Sequence, residues 1–199
     1  CVGPDYLFLP EGRMAEFSSL CRDIVAKRLS GLDDPSYTSI VDEKSFKCLN
    51  EWLEDAKQKG ASAVNLMPGK DSDPALRKLA PMLVTGVKPH MLVMQEEIFG
   101  PLLPVMTYTD INAVLDYVNA RERPLALDRF TNDNSLQIRV LKNTISGGVS
   151  LNACVMHAAQ HDMPFGGIGN SGMGHYHGRE GFDELSKLRP IFHQSRFTT

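Results

Sequence analysis

Amphipathic helices alternate with short apolar segments along most of the chain, and this alternation restricts the fold more than any other feature. Apolar residues recur at three- and four-residue steps over 13–29 and 42–59, which predicts two helices that end at Gly31 and Gly60. Apolar runs bounded by Gly, Pro or Asp predict strands. The predicted strands are 2–9 (after an initial turn), 61–67, 81–85, 102–108, 125–130 and 148–151, and further helices are predicted over 111–120 and 134–142. This order predicts an α/β fold, a mostly parallel sheet with helices on both faces.

The apolar faces of the first two helices are predicted to pack into the core. They consist of Met14, Phe17, Leu20, Cys21, Ile24, Val25 and Leu29 on one helix, and Phe46, Leu49, Trp52, Leu53 and Ala56 on the other. Cys21 and Cys48 lie on or beside these faces, which predicts buried core thiols. The spacing of the cysteines is long and uneven, with no CxxC pair, which argues against a zinc site or a dense disulfide scaffold. Free thiols indicate a reducing cytoplasm.

Composition excludes several classes of protein. The chain has 199 residues, with 42% hydrophobic and 23% charged residues, which is typical of a globular domain and not of a disordered or fibrous protein. A formal net charge of −3 offers no bulk attraction for nucleic acid or for an anionic membrane. No apolar run approaches the length of a membrane span, and the first residues lack a signal-peptide pattern.

The stretch 166–181, the glycine-rich segment, has seven glycines in sixteen residues. Such density indicates tight turns, or a loop that lines a cleft, and we favour the loop. Residues 167–172 match GxGxxG, but no strand precedes them and Gly174 and Gly178 disfavour a following helix, so we reject a dinucleotide-binding loop. Four histidines in or just before the segment could suggest a metal site, but no HExxH motif or cysteine accompanies them, so ordinary loop histidines are the preferred interpretation and no metal is predicted. These are His157, His161, His175 and His177.

Two short segments have both a structural and a functional interpretation. Residues 95–101 place two carboxylates beside an aromatic ring and a Gly-Pro turn, which suits either a solvated turn or contacts to a ribose and a planar cofactor. Cys1 could act as an N-terminal nucleophile with its own α-amine as the base, as in hydrolases of that type.

Taken in order, several segments closely resemble the C-terminal half of the aldehyde dehydrogenase superfamily. The similarity is greatest to the class 3-like enzymes, and among them to the bacterial coniferyl aldehyde dehydrogenases. The matching segments are CVGPDY at 1–6, MQEEIFGP at 94–101, RPLAL at 123–127, SGGV at 146–149 with Asn152, MPFGGIG at 163–169 and SGMGHYHG at 171–178, followed by Gly181 and Phe182. The ordered set is specific, although each segment alone would be weak.

The resemblance implies a reaction and a set of roles. Cys1 would be the thiol that adds to an aldehyde, giving a thiohemiacetal that loses hydride to NAD or NADP and leaves a thioester for hydrolysis. Glu97 would bind the nicotinamide ribose, and Phe99 would pack near the nicotinamide ring. Asn152, Phe165 and Gly166 would lie at the substrate end of the cleft. The implied activity is oxidation of an aldehyde, such as coniferyl aldehyde, to its acid.

The resemblance also implies what this chain lacks and how it is organised. The family's Gly-rich cofactor segment, general-base glutamate and oxyanion asparagine lie upstream of the nucleophile, so we expect the polypeptide alone to have no measurable activity. Residues 1–188 would form the catalytic domain fragment, and 189–199 a tail toward the oligomerisation region. We expect a cytoplasmic enzyme, homodimeric at full length, with a non-catalytic α/β binding module as a further alternative. Asp128 and Arg129 depart from the family's apolar strand, which is costly unless the charges are paired or exposed.

Overall fold

The computed structural model describes residues 2–196 and divides into two structural units, 3–117 and 118–196. The elements of the first unit are β1 (Leu7–Pro10), α1 (Met14–Arg28), α2 (Glu43–Gln58), β2 (Ser62–Asn65), β3 (Ser72–Asp73), β4 (Lys78–Leu79), β5 (Met82–Thr85) and β6 (Leu102–Tyr108). Helix α3 (Ile111–Asn119) runs from the first unit into the second. The second unit continues with β7 (Ala126–Arg129), α4 (Asn134–Asn143), β8 (Gly148–Leu151) and α5 (Gly178–Glu184).

The first unit contains a four-stranded sheet in the order β1-β6-β5-β2. β6 pairs in parallel with β1 and with β5, and β2 pairs antiparallel with β5. β3 and β4 form a separate antiparallel hairpin, which the sequence analysis did not predict. In the second unit, β7 and β8 pair in parallel. The predicted α/β class with mostly parallel strands and flanking helices is confirmed.

Helices cover both faces of the four-stranded sheet because successive strand residues point to opposite sides. On one face, Met82 and Val84 pack with the buried α2 residues Phe46, Leu49, Leu53 and Ala56. On the other face, Leu83 and Val105 pack with partly buried residues of β1 and α1, including Leu7, Leu9, Met14, Phe17 and Cys21. Asp42 begins α2, since its side chain accepts the Ser45 backbone N–H at 2.7 Å.

The apolar face predicted for α1 was wrong at two positions. Leu20 and Ile24 are about half exposed, whereas Phe17, Cys21 and Val25 pack against the sheet. Residues 20 and 24 each lie one position before the buried stripe, a rotation of about 100° around the helix axis. The two predicted core thiols, Cys21 and Cys48, are only partly buried, and burial still raises the pKa of Cys21.

The last fifth of the chain contains a helix that its glycines had argued against. Helix α5 begins at Gly178, which has a φ of 56°, directly after His177 at 76°. Residues with a left-handed backbone at the N-terminus of a helix turn the chain into the helix and do not interrupt its later turns, so these two residues are compatible with α5. Gly181, inside α5, is buried where a Cβ atom would lie 3.1 Å from the Tyr176 backbone, so this glycine permits close packing.

Among residues 2–196, no helix is long and apolar enough to cross a membrane.

Candidate active-site segments

Residues 88–100, here called the arm, connect β5 to β6 and carry Glu97 and Phe99. Met91, Val93 and Ile98 bury their side chains in the core beneath the sheet. Between these anchors, Gln95, Glu96 and Glu97 are exposed, and the Phe99 side chain is 67% exposed. Phe99 has a φ of 45°, a conformation that non-glycine residues adopt rarely. The arm therefore presents a carboxylate and an aromatic ring at the surface of the first unit.

Asp5 connects the first residues of the chain to the arm. Its Oδ1 accepts the backbone N–H of Ile98 at 3.0 Å, between Glu97 and Phe99. Burial raises the pKa of Asp5, the hydrogen bond from Ile98 lowers it, and the negative charge of Glu97 raises it. The two carboxylates are thus electrostatically coupled. The contact spans 93 residues of sequence, so no local pattern could have predicted it.

The arm is also tied to the C-terminal end of α2. Asp55 Oδ2 accepts the Leu92 backbone N–H at 2.9 Å, and Asp55 Oδ1 lies 2.6 Å from Lys59 Nζ. Lys59 Nζ donates to the His90 carbonyl at 3.0 Å. The Lys59 ammonium and the Leu92 N–H both lower the pKa of Asp55. The Asp–Lys spacing of four residues was visible on the predicted helix, but its partners in the arm were not.

The predicted substrate residue Asn152 lies at the end of β8, in the second unit. It is exposed and left-handed, with a φ of 54°. Its backbone N–H donates to the Arg129 carbonyl at 2.7 Å, and its side-chain oxygen accepts the Thr131 N–H at 2.8 Å. Asn152 thereby joins the chain after β8 to the chain after β7, a structural role that the sequence analysis did not predict.

Phe165 and Gly166 lie where the glycine-rich segment folds back on itself. Phe165 and Tyr176 exchange backbone hydrogen bonds of 2.7 and 2.9 Å, and their rings contact edge to face with centroids 5.9 Å apart. A Cβ atom on Gly166 would overlap the Gly174 carbonyl oxygen, and one on Gly167 would overlap that of Ser171. Residues 167–172 therefore form a tight turn, with a 3₁₀ turn at Gly169–Ser171 in place of a strand–loop–helix unit.

His157 lies in a loop, as expected, but it is buried. Its side chain is only 6% exposed, and Nδ1 lies 2.8 Å from Ser150 Oγ on β8. The ring packs so closely on β8 that a Cβ atom on Gly148 would overlap it. No periodicity in residues 152–165 signalled this burial. Within residues 2–196, no group of three His, Cys, Asp or Glu side chains is arranged to hold a metal ion.

The unexpected Asp128 on β7 has partners after β8. Its Oδ2 accepts the Cys154 thiol at 2.9 Å, and its Oδ1 accepts the Val155 N–H at 3.4 Å. Burial, followed by the hydrogen bond and negative charge of Asp128, raises the pKa of Cys154 to about 11. The Asp128 carboxylate is therefore hydrogen-bonded by neighbouring donors, which offsets the cost noted for a charge at this position.

Cys1, the predicted nucleophile, lies outside the described residues. Of the other predicted site residues, Glu97 and Phe99 lie together in the first unit, and Asn152, Phe165 and Gly166 lie in the second.

Comparison with known proteins identifies the class of protein. The sequence model that describes the aldehyde dehydrogenase family matches residues 1–191 of this chain. The chain belongs to the aldehyde dehydrogenase family, as the motifs in its sequence had indicated.

Individual relatives refine this assignment. A probable coniferyl aldehyde dehydrogenase of Pseudomonas aeruginosa is 48% identical over 99% of the chain, and aldehyde dehydrogenase family 3 member A2 of Rattus norvegicus is 38% identical over 96%. The chain spans 41% and 38% of these two relatives. A substrate-bound structure of Staphylococcus aureus AldH matches the whole chain and 43% of its own length, with a TM-score of 0.87 and 32% identity.

Proposed function

We propose that this chain is part of an NAD(P)-dependent aldehyde dehydrogenase that oxidises an aldehyde to a carboxylic acid. In this proposal, Cys1 is the nucleophile, Glu97 binds the nicotinamide ribose, and Phe99 packs near the nicotinamide ring. The observation that carries the proposal is the hydrogen bond from the Ile98 N–H to Asp5. It connects the segment that follows Cys1 to the segment that carries Glu97 and Phe99.

Chain connectivity makes this contact relevant to Cys1. Four peptide units join Cys1 to Asp5, so their Cα atoms are at most about 14 Å apart. Asp5 in turn bonds the residue between Glu97 and Phe99. This short connection in sequence supports a shared site for Cys1, Glu97 and Phe99.

The arm fits a nicotinamide cofactor. Glu97 offers an exposed carboxylate that can accept hydrogen bonds from ribose hydroxyls, and Phe99 offers an exposed ring to a planar group. The left-handed backbone at Phe99 is an unfavourable conformation, and such conformations concentrate at ligand-binding sites. When bound, oxidised NAD(P) would accept the hydride.

The chain's own chemistry would start at Cys1. Its thiolate forms a C–S bond with the aldehyde carbon, which gives a thiohemiacetal. Loss of hydride from that carbon leaves a thioester, and water then releases the acid and returns the thiol.

For the substrate, we propose an aromatic aldehyde of the coniferyl type. The similarity to a probable coniferyl aldehyde dehydrogenase supports this class. Phe165 would present its ring to the substrate, with Gly166 keeping the adjacent chain narrow. Since the side-chain oxygen of Asn152 accepts the Thr131 N–H, its contribution would be to shape the loop. We further propose a cytoplasmic, homodimeric enzyme in which residues 189–199 contribute to assembly.

The proposal is tested with the longest native polypeptide that contains this chain. We expect aldehyde-dependent formation of NADH or NADPH, and loss of this activity on Cys1→Ala. A mass increase on Cys1 after brief reaction with the aldehyde and cofactor would identify the acyl intermediate. We expect the 199-residue chain alone to show no activity.

Three results would contradict the proposal. Activity that survives Cys1→Ala would exclude the thiol, and ester or amide hydrolysis without cofactor would favour the N-terminal-nucleophile hydrolase, which family membership does not favour. Cofactor binding without turnover of any aldehyde would indicate a binding module.

A further inference from the structure

The arm is held at its N-terminal part by an ion pair as well as by apolar packing. Asp55 accepts the Leu92 N–H at 2.9 Å, and its partner Lys59 donates to the His90 carbonyl at 3.0 Å. One pair of side chains on α2 thus satisfies a donor and an acceptor two residues apart in the arm. Asp55 and Lys59 are 18% and 34% exposed, so water competes only partly for these contacts.

Helix α2 also contacts the other end of the arm. Leu49, about one and two-thirds turns before Asp55, packs so closely on Gly100 that an added Cβ atom would lie 2.5 Å from Leu49 Cδ1. The exposed residues Glu97 and Phe99 lie between these two fixed points. Burial of Met91 and Val93 holds the arm against the core. Because hydrogen bonds are directional, those to the arm's backbone also fix how this segment is oriented and which of its residues face α2.

We propose that Asp55 and Lys59 are positioning residues for the cofactor contacts of the arm. The proposal rests on the proposed function, in which Glu97 and Phe99 contact NAD(P). Asp55 and Lys59 act through the backbone at His90 and Leu92, and do not touch the cofactor. Their loss leaves the buried anchors of the arm in place but widens the range of positions that Glu97 and Phe99 sample, which weakens cofactor binding.

The test compares two ion pairs on the same helix in the longest native polypeptide. Asp55→Asn removes the charge beside Leu92. The control Glu43→Gln breaks the exposed Glu43–Lys47 pair, 3.5 Å long, at the other end of α2. We expect Asp55→Asn to weaken NAD(P) binding, measured by calorimetry, by roughly tenfold, because the uncharged amide loses the ion pair with Lys59 and has one acceptor oxygen where the carboxylate has two. Hydrogen exchange should accelerate in residues 88–97, and kcat at saturating cofactor should stay within about twofold of the parent value.

Two lysine variants keep the proposal testable if Asp55→Asn does not fold. Lys59→Arg retains a donor for the His90 carbonyl and should preserve cofactor affinity, whereas Lys59→Met should weaken binding and accelerate exchange as Asp55→Asn does. Unchanged affinity in Asp55→Asn or Lys59→Met, or equal weakening in Glu43→Gln, would overturn the positioning role.

A separate variant distinguishes this failure from failure of the proposed function. Glu97→Gln should weaken cofactor binding if the arm contacts NAD(P). If Glu97→Gln weakens binding and Asp55→Asn does not, only the positioning role is wrong. If Glu97→Gln leaves affinity unchanged, the cofactor role of the arm itself is wrong.

Discussion

The arm and the glycine-rich segment both carry predicted site residues, but different interactions hold them in place. The arm is anchored by Met91, Val93 and Ile98 in a core that α2 and the sheet share. The glycine-rich segment has the Phe165–Tyr176 backbone bridge and close glycine contacts, and many apolar side chains around it are exposed. These include Met163, Ile168, Met173, Phe182 and Leu185.

This difference separates two ways of building a functional segment. Apolar burial tolerates moderate changes of shape at the surface of the arm, because its anchors lie below the exposed residues. Backbone contacts at van der Waals distance tolerate almost no added volume. We therefore expect the arm to be sensitive at its buried side chains and the glycine-rich segment at its glycines.

We expect the largest difference in the free energy of unfolding between variants of two methionines, one in each segment. Met91 in the arm is 0% exposed, and Met173 in the glycine-rich segment is 98% exposed. Met91→Ala should lower the free energy of unfolding by about 2–5 kcal/mol, because it leaves a cavity in a packed core. Met173→Ala should change it by less than about 0.5 kcal/mol. Urea denaturation of both variants, followed by circular dichroism, measures the difference, and equal losses would remove the contrast.

At two glycines we expect the opposite order, with the larger loss of stability in the glycine-rich segment and the smaller loss in the arm. An alanine at position 166 would place its Cβ atom on the carbonyl oxygen of Gly174, which is backbone. An alanine at position 100 would meet the terminal methyl groups of Leu49, which can rotate. We expect Gly166→Ala to destabilise its unit by about 1–3 kcal/mol, and Gly100→Ala by less.

Hydrogen exchange at the Phe165 and Ile98 amides reports each unit separately. If Gly166→Ala accelerates exchange at Phe165 more than Gly100→Ala accelerates exchange at Ile98, the glycine-rich segment is the one that is more sensitive at its glycines. The opposite order would show that the arm, and not the glycine-rich segment, is the tighter structure.

Sequence patterns were sufficient for most of the fold. Strands 102–108 and 148–151 were predicted with the bounds that the structure has, because Gly, Pro and Ser delimit short apolar runs there. Helix α2 was predicted from one apolar stripe. Helix α1 was predicted, but two of its seven predicted core positions, Leu20 and Ile24, are about half exposed, because seven apolar positions cover more of the helix circumference than the sheet can contact.

The contacts that organise the candidate site were not predictable in the same way. The Asp5–Ile98 and Asp55–Leu92 hydrogen bonds join residues 93 and 37 positions apart. Each depends on how strands pair and not on local periodicity. His157 was interpreted as an ordinary loop histidine because no metal-binding motif accompanies it, yet packing on β8 buries it. The motif resemblance nominated Glu97 and Phe99 as candidate cofactor-binding residues but did not indicate which residues hold them in place.

Two aspartates extend the comparison to pH. The pKa of Asp5, beside the arm, is raised mainly by burial, so folding binds a proton and its contribution to stability declines as the pH rises through the raised pKa. The pKa of Asp133, which caps α4, is lowered by the Ser135 hydroxyl and the Leu136 N–H. Its contribution is therefore present above the unfolded pKa of about 4 and is lost as the pH falls through the lowered value.

Asparagine variants of the two residues should show opposite changes in stability at pH 7. Asp5→Asn should be at least as stable as the parent chain at pH 7, with an advantage that shrinks toward pH 4. Asp133→Asn should be less stable at pH 7, with a deficit that shrinks at low pH. Urea denaturation between pH 3 and pH 7 measures both, and parallel profiles for the two variants would contradict the assignment.

The smallest expected effect concerns the thiol of Cys154, in the second unit. Because its pKa is raised to about 11, few of these side chains are thiolates at pH 8, although the residue is exposed. Asp128→Asn removes the charge that contributes to the raised pKa but leaves burial, which is its largest cause. Alkylation of Cys154 should therefore accelerate only several-fold, roughly three- to tenfold, as measured by site-resolved mass spectrometry.

Cys21 in the first unit is the matched control, because burial alone raises its pKa. Its alkylation rate should not change in Asp128→Asn. An unchanged rate at Cys154 would show that Asp128 does not control this thiol. Equal acceleration at both cysteines would indicate general loosening of the chain, since burial alone raises the pKa of Cys21 and the charge of Asp128 does not contribute to it. Acceleration confined to Cys154 would establish that a charged residue in β7 acts on the loop after β8 through one local contact.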